Sequence, residues 1–222
     1  MNPQPGLRER KKTQTRELIS DTARELFAER GFDRVTVAEI ARTADVSEAT
    51  VFNYFPTKED LFYSRLEAFE EELLAAVRER EPGESALDAV GRFLLQPRGV
   101  FAPAGSDDAR ESTDRLRTIS RVITESPALL AREREVFAHY AASLAALLAE
   151  ETGAAADDVE PAVVANAMLG VHRAMIDYVR RRTAAGSEAP EIARATRRQT
   201  KRALALLEAS LGDYAPKGGV RR

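Results

Sequence analysis

The chain has 222 residues, 44% of them hydrophobic, enough to bury a real core in one or two domains. It has no cysteine, which excludes disulfides, thiolate-held zinc and thiol catalysis, and its only two histidines, His139 and His172, lie far apart, against a histidine-rich metal site. The net charge of −3 is not that of a uniformly basic nucleic-acid coat, but a local basic patch is enough for DNA, and the first twenty residues carry an excess of three positive charges.

The opening MNPQPGLRERKK lacks the apolar run of a secretory signal. The longest apolar stretch, AASLAALLAE, is too short to span a bilayer. A cytoplasmic protein is expected. Ala, Leu, Glu and Arg dominate between sparse breakers, and apolar residues recur at spacings of three and four, so an all-α fold of about nine helices is expected.

A first helix is predicted over 11–30, with Leu18, Ile19, Ala23, Leu26 and Phe27 on one face and Gly31 just past its end. Thr36 and Glu39 have the spacing of a capping box that opens a short helix over 37–43. Ala44, Asp45 and Val46 interrupt the pattern. Ser47 caps a second short helix over 48–54, and Pro56 stops it. Thr57 caps a long helix predicted to run to 80, with Asp60 at its third position.

Pro82-Gly83 is a clear break. It divides the chain into an N-terminal arm and head over 1–56, a connecting helix over 57–81 and a C-terminal domain over 82–222. Helices are predicted there at 84–96, 107–124, 127–152, 158–183 and 188–211, with 96–108 as the long loop. Ser126-Pro127 reads as an N-cap followed by proline at the first helical position. The tail after Gly212 is expected to fray.

Two seven-residue helices joined by three residues describe a helix-turn-helix. Neither is stable alone, so the first helix must cover them. Ile40, Ala41, Val46, Val51 and Phe55 form the expected inward set, against Leu26, Phe27, Leu61 and Phe62; Phe52 is expected to be at least partly buried. Ser47, Glu48, Ala49, Thr50, Asn53 and Tyr54 remain for the outer side. Small and hydrogen-bonding residues there suit a helix that enters the major groove and meets base edges. Thr36 and Ser47 cap helices whose N-termini favour phosphate, and Lys58 follows where a cation can meet the backbone. Lys11 and Lys12 belong to a basic arm over 8–16 that can reach phosphates or remain a solvated tail. Glu48 suits the helix dipole; a base contact would be to a cytosine amino group.

Residues 16–61, RELISDTARELFAERGFDRVTVAEIARTADVSEATVFNYFPTKEDL, resemble the N-terminal domain of the tetracycline-repressor (TetR) family. The elements LFAERGF, T-V-A-E-I-A, A-x-V-S, T-V-F-x-Y-F and P-T-K-E-D-L occur in the family's order and spacing. The resemblance places operator contacts at Thr36, Ser47, Ala49, Thr50, Asn53, Tyr54 and Lys58. Asp45 replaces the usual turn glycine, which Asp tolerates, and Ala49 stands where glycine is common.

The resemblance also implies a C-terminal ligand cavity and a four-helix dimer interface. Cavity candidates are the polar Thr118, Arg121, His139, Asn166 and His172, with Phe93, Phe101, Val122, Phe137, Tyr140, Met168 and Met175. Ordinary helix packing explains the same pattern residue by residue. His139 lies one turn after Glu135, which reads as a surface pair rather than a metal fragment. Dimer candidates on the last two helices are Val164, Leu169, Val171, Ala203, Leu204, Leu207 and Leu211.

The expected function is a sequence-specific DNA-binding transcriptional regulator, a homodimeric repressor released from a palindromic operator by a small, hydrophobic effector. The alternatives are an activator of the same fold, or a helical ligand-binding or adaptor protein whose head does not read DNA. No cofactor and no metal is expected. An enzyme is disfavoured, since no glycine-rich phosphate loop, zinc set or Ser–His–acid arrangement can be assembled.

Overall fold

The computed structural model describes residues 6–64, 67–96 and 109–218. Among them there are ten helices and no strand. They are α1 (Leu7–Arg30), α2 (Val37–Thr43), α3 (Glu48–Tyr54), α4 (Lys58–Tyr63), α5 (Glu67–Arg78), α6 (Ala86–Leu94), α7 (Ala109–Thr124), α8 (Pro127–Thr152), α9 (Glu160–Ala184) and α10 (Ala189–Leu211). No helix among the described residues is long and apolar enough to cross a membrane.

The first helix, expected over 11–30, begins at Leu7 and takes in the basic arm over 8–16, as its Arg, Glu, Lys and Gln content favours. Of the single helix expected over 57–80, α4 and α5 are described, on either side of 65–66, and Ser64 keeps helical backbone angles. The Ser64 hydroxyl is hydrogen-bonded to that of Ser20 at 2.7 Å.

The chain forms two compact units, Met1–Glu67 with Arg121–Arg132, and Ala68–Ser120 with Glu133–Arg222. The division therefore falls at 67/68, rather than at Pro82-Gly83, and the first unit recruits a distant segment.

In the first unit Ile19, Ala23 and Phe27 of α1 meet Ile40, Ala41, Val51, Phe55 and Leu61, all 0–3% exposed. Phe27, Phe32 and Phe62 form a ring triangle with centroids 5.0–6.0 Å apart. Leu18, placed on the inward face by periodicity, is 51% exposed. The recruited segment is held by polar contacts. Ser126 Oγ donates to Asp33 at 2.7 Å, Arg132 to Asp60 at 2.7 Å, Arg121 to the Ala28 carbonyl at 3.1 Å, and Tyr63 OH to the Leu129 carbonyl at 3.1 Å.

The core of the second unit joins Leu73 and Val77 of α5, Ala86, Val90 and Phe93 of α6, Tyr140, Leu144 and Leu148 of α8, and Val164, Met168 and Leu169 of α9. The α5, α6 and α8 sets, and Val164 with Met168 on α9, repeat at three or four residues, as a buried helical stripe does. Gly91 lets α6 approach α10, since a Cβ there would lie 3.1 Å from Leu204 Cδ1.

The tail after Gly212 is expected to fray, but its described part, 213–218, is docked. Gly83 N–H donates to the Lys217 carbonyl and Lys217 N–H to the Glu84 carbonyl, both at 3.0 Å. The tail covers Arg80, which is 3% exposed. The Arg80 guanidinium donates to both oxygens of Glu151, at 3.1 and 2.7 Å, to the Glu84 and Ala215 carbonyls at 3.1 and 2.7 Å, and to the Val77 carbonyl.

Candidate nucleic-acid interface

The helix-turn-helix is built by three local devices. Thr36 caps α2 by accepting from Glu39 N–H at 3.2 Å, while Glu39 accepts from Thr36 N–H at 2.9 Å. That backbone bond, with Arg30 at 2.8 Å as a second cause, lowers the Glu39 pKa to about 2. In the turn, Ala44 N–H donates to Ile40 and Val46 N–H to Ala41, and Asp45 takes a φ of +55°. Ser47 then caps α3 by accepting from Thr50 N–H at 3.1 Å.

The left-handed residue gives a direct check. Asp45→Gly should stabilise the first unit by about 0.5–1 kcal/mol, the difference between the left-handed penalty of an L residue and the larger chain entropy of glycine. Denaturant unfolding followed by circular dichroism would read it, and an unchanged or lower midpoint would refute it.

The seven residues of α3 divide cleanly. Val51, and Phe55 just beyond it, are buried at 2% and 1%. Ser47, Glu48, Ala49 and Asn53 are exposed, while Thr50 and Tyr54 are half-buried. Phe52, expected to be partly buried, is 47% exposed and joins Glu48 and Ala49. Its residue type suggests a core position. Its spacing, four after Glu48 and three after Ala49, is the signal that places it with them on the outer side.

Three expected phosphate contacts are partly committed elsewhere. The Thr36 hydroxyl donates its single proton to Glu39 at 3.1 Å, so it serves as a cap and has no donor left for an anion. The hydroxyls of Ser47 and Thr50 lie 2.8 Å apart and share one hydrogen bond, which leaves one donor between them. Lys58 Nζ donates to the carbonyls of Phe32 and Val35 at 3.0 and 3.1 Å and sits 4.1 Å from the Phe32 ring centroid. Two of the three ammonium donors of Lys58 thus hold the loop before α2. Lys11 and Lys12 are exposed on α1. Arg16, on the same helix, lies 4.6 Å from the Phe55 ring centroid.

The cavity candidates separate. Phe93, Phe137, Tyr140, Met168 and His172 come together in the second unit. Arg121 and Val122 belong to the first unit, where Arg121 caps Ala28 and Val122 is 2% exposed. Asn166 is exposed and donates to its own helix at Ala162. His139 is exposed and pairs with Glu70 at 3.2 Å. Thr118 and Met175 are half-buried, and Phe101 lies outside the described residues.

The dimer candidates differ in how far their own chain covers them. Val164, Leu169 and Val171 are 3–6% exposed, and Leu204, Leu207 and Leu211 pack on the core of the second unit, Leu204 against Gly91. Ala203 is half-buried. The large apolar residues left outside on and beside α9 and α10 are Val159, Val163 and Leu206, at 72%, 62% and 81%.

Known families match the two parts of the chain separately. Residues 19–64 match the model described as bacterial regulatory proteins, tetR family, and residues 98–210 match the MftR C-terminal domain. The HTH-type transcriptional regulator TcmR of Streptomyces glaucescens is 31% identical over 69% of this chain and 67% of its own length. MftR of Mycobacterium tuberculosis, a transcriptional regulator named for mycofactocin biosynthesis, is 30% identical over 73% of this chain and 78% of its own. The solved structure of Salmonella enterica GusR aligns with a TM-score of 0.47 at 21% identity, over 86% of this chain and 96% of that one.

Proposed function

Because the chain belongs to the tetR family of bacterial regulatory proteins and is a DNA-binding transcriptional regulator, we propose that it acts as a homodimeric repressor, released from a palindromic operator when a small effector binds its second unit. The observation that carries the reading is the outer side of α3. Ser47, Glu48, Ala49, Phe52 and Asn53 are exposed together on a helix whose other side is locked into a core.

Each of these groups has a partner in the major groove. The Asn53 amide matches the paired donor and acceptor of adenine. Phe52 and Ala49 form an apolar surface for thymine methyl groups, and Glu48 can accept from a cytosine amino group. The positive charges of Lys11, Lys12 and Lys58 supply sequence-independent attraction to phosphate.

The test is selection of random duplex DNA by the purified protein at fixed salt. A palindrome should be enriched, with half-site centres about 34–36 Å apart. Phe52→Ala should lose preference at thymine positions and Asn53→Ala at adenine positions, each by about 1–3 kcal/mol per half-site. Lys12→Gln should weaken all sequences alike and lower the salt slope by about 1. Enrichment indifferent to both α3 substitutions would reject α3 as the reading helix.

For the dimer, the exposed Val163 and Leu206 support a partner copy on α9 and α10, helices that pack along one another. Sedimentation of the double variant Val163→Glu, Leu206→Glu should show a shift from dimer to monomer, because two charges would enter an apolar contact. A double variant that sediments as the wild type would place the interface elsewhere. The effector is proposed to act by favouring one of two head arrangements, which requires different affinities for the two states.

A further inference from the structure

The second unit contains a stack of rings with an unusual middle member. Phe69 of α5 stacks on both His172 of α9 and Tyr140 of α8. Its ring is nearly parallel to both, at 4.6 Å and 16° from His172 and 5.3 Å and 27° from Tyr140. Phe93 closes one side edge-on at 5.1 Å, and Phe137 flanks the two outer rings at 5.5 and 6.3 Å.

The outer rings are carried by long helices anchored in the core. Tyr140 is 6% exposed, and its neighbours Leu144 and Met168 are fully buried. Phe69 is only half-buried and stands two residues past the point where the chain leaves the first unit. The two walls are carried by α8 and α9, and the filling by α5, close to the boundary of the unit. Flat rings facing each other across one ring thickness make a slot selective for planar molecules, because a stacked aromatic gains contact on both faces while a flexible chain does not. Desolvation lowers the His172 pKa to about 4, so at neutral pH the wall is an uncharged imidazole that does not repel an apolar ring.

We propose that Phe69 is an internal plug in a slot between His172 and Tyr140, and that the effector is a planar aromatic molecule that takes its place. This rests on the reading of the second unit as the effector-binding part.

The experiment uses the full chain, which has no tryptophan to interfere. 2-Naphthol is titrated with its own fluorescence anisotropy as the signal, and 1-decanol serves as a non-planar apolar competitor. Phe69→Ala should bind 2-naphthol at least ten-fold tighter than the wild type, and 1-decanol should displace it poorly. Phe69→Ala with Tyr140→Leu should lose that gain, whereas Phe69→Ala with His172→Phe, which keeps a flat wall, should retain it. Circular dichroism confirms that each variant is folded. Equal 2-naphthol affinity in wild type and Phe69→Ala, or a gain that survives Tyr140→Leu, overturns the slot. Operator binding is read in parallel. If 2-naphthol fills the slot but leaves operator affinity unchanged, the slot stands as a binding site and its identity as the effector site falls.

Discussion

Arg80→Met is expected to lower the unfolding free energy by about 3–5 kcal/mol, because it takes the guanidinium away from the carboxylate of Glu151 and from three carbonyls. Arg80 is buried and makes five hydrogen bonds, to Glu151 twice and to the carbonyls of Val77, Glu84 and Ala215. At this chain length the loss corresponds to a fall in melting temperature of roughly 6–20 °C. Lys217 Nζ lies 3.5 Å from Glu151 but is more exposed, and it compensates little. The double variant Arg80→Met, Glu151→Leu should recover much of the loss, since an apolar pair of similar volume often replaces a buried ion pair without penalty. Thermal unfolding of the three proteins decides the matter: a single variant that melts within 2–3 °C of the wild type, about 1 kcal/mol at this size, would mean that Arg80 is not a keystone.

The second large effect is on pH. His172 has its pKa lowered by burial from 6.5 to about 4. Between these values the unfolded chain binds a proton at His172 and the folded one does not, so stability rises with pH across that window. The contribution is complete above about pH 6.5, falls by about 1.4 kcal/mol per pH unit below it, and reaches a loss of roughly 3 kcal/mol near pH 4. His172→Phe keeps a ring against Phe69 but removes the proton, and should abolish this part of the acid sensitivity. Glu39 acts in a lower window: its pKa is depressed from 4.5 to about 2, so its contribution is present above 4.5 and lost as the pH falls towards 2. Chemical denaturation at pH 7, 6, 5 and 4.5 separates the two. Parallel pH profiles for wild type and His172→Phe would show that His172 is not desolvated in the folded state.

The local devices are legible in the sequence itself. The capping boxes at Thr36 and Thr57, the Ser47 cap and the start of α8 at Pro127 all follow from side chains that bond their own backbone within three residues. Such signals need no tertiary context. The inward set Ile40, Ala41, Val51 and Phe55 is legible for a related reason, since only one side of so short a helix can be covered. What the sequence hides depends on long-range packing. The docked segment over 213–218 rests on an arginine 135 residues away from its carbonyl partner. On α10, periodicity identifies apolar residues but not which neighbour covers them. Leu204 goes to Gly91 of the same chain, and Leu206 is left outside.

The docked tail also sets a schedule for biosynthesis. Arg80 leaves the ribosome long before Ala215, the carbonyl that completes its coordination, 135 residues later. At about 5–20 residues per second that is a delay of roughly 7–27 s. Until Glu151 has followed, 71 residues after it, the guanidinium must stay hydrated, because burying it earlier would strand the charge, and its last carbonyl comes only with Ala215. The second unit therefore closes after its last turn has been made, whereas the first can be completed once residue 132 has emerged. A nascent chain stalled near residue 200 would present a finished head on an open body.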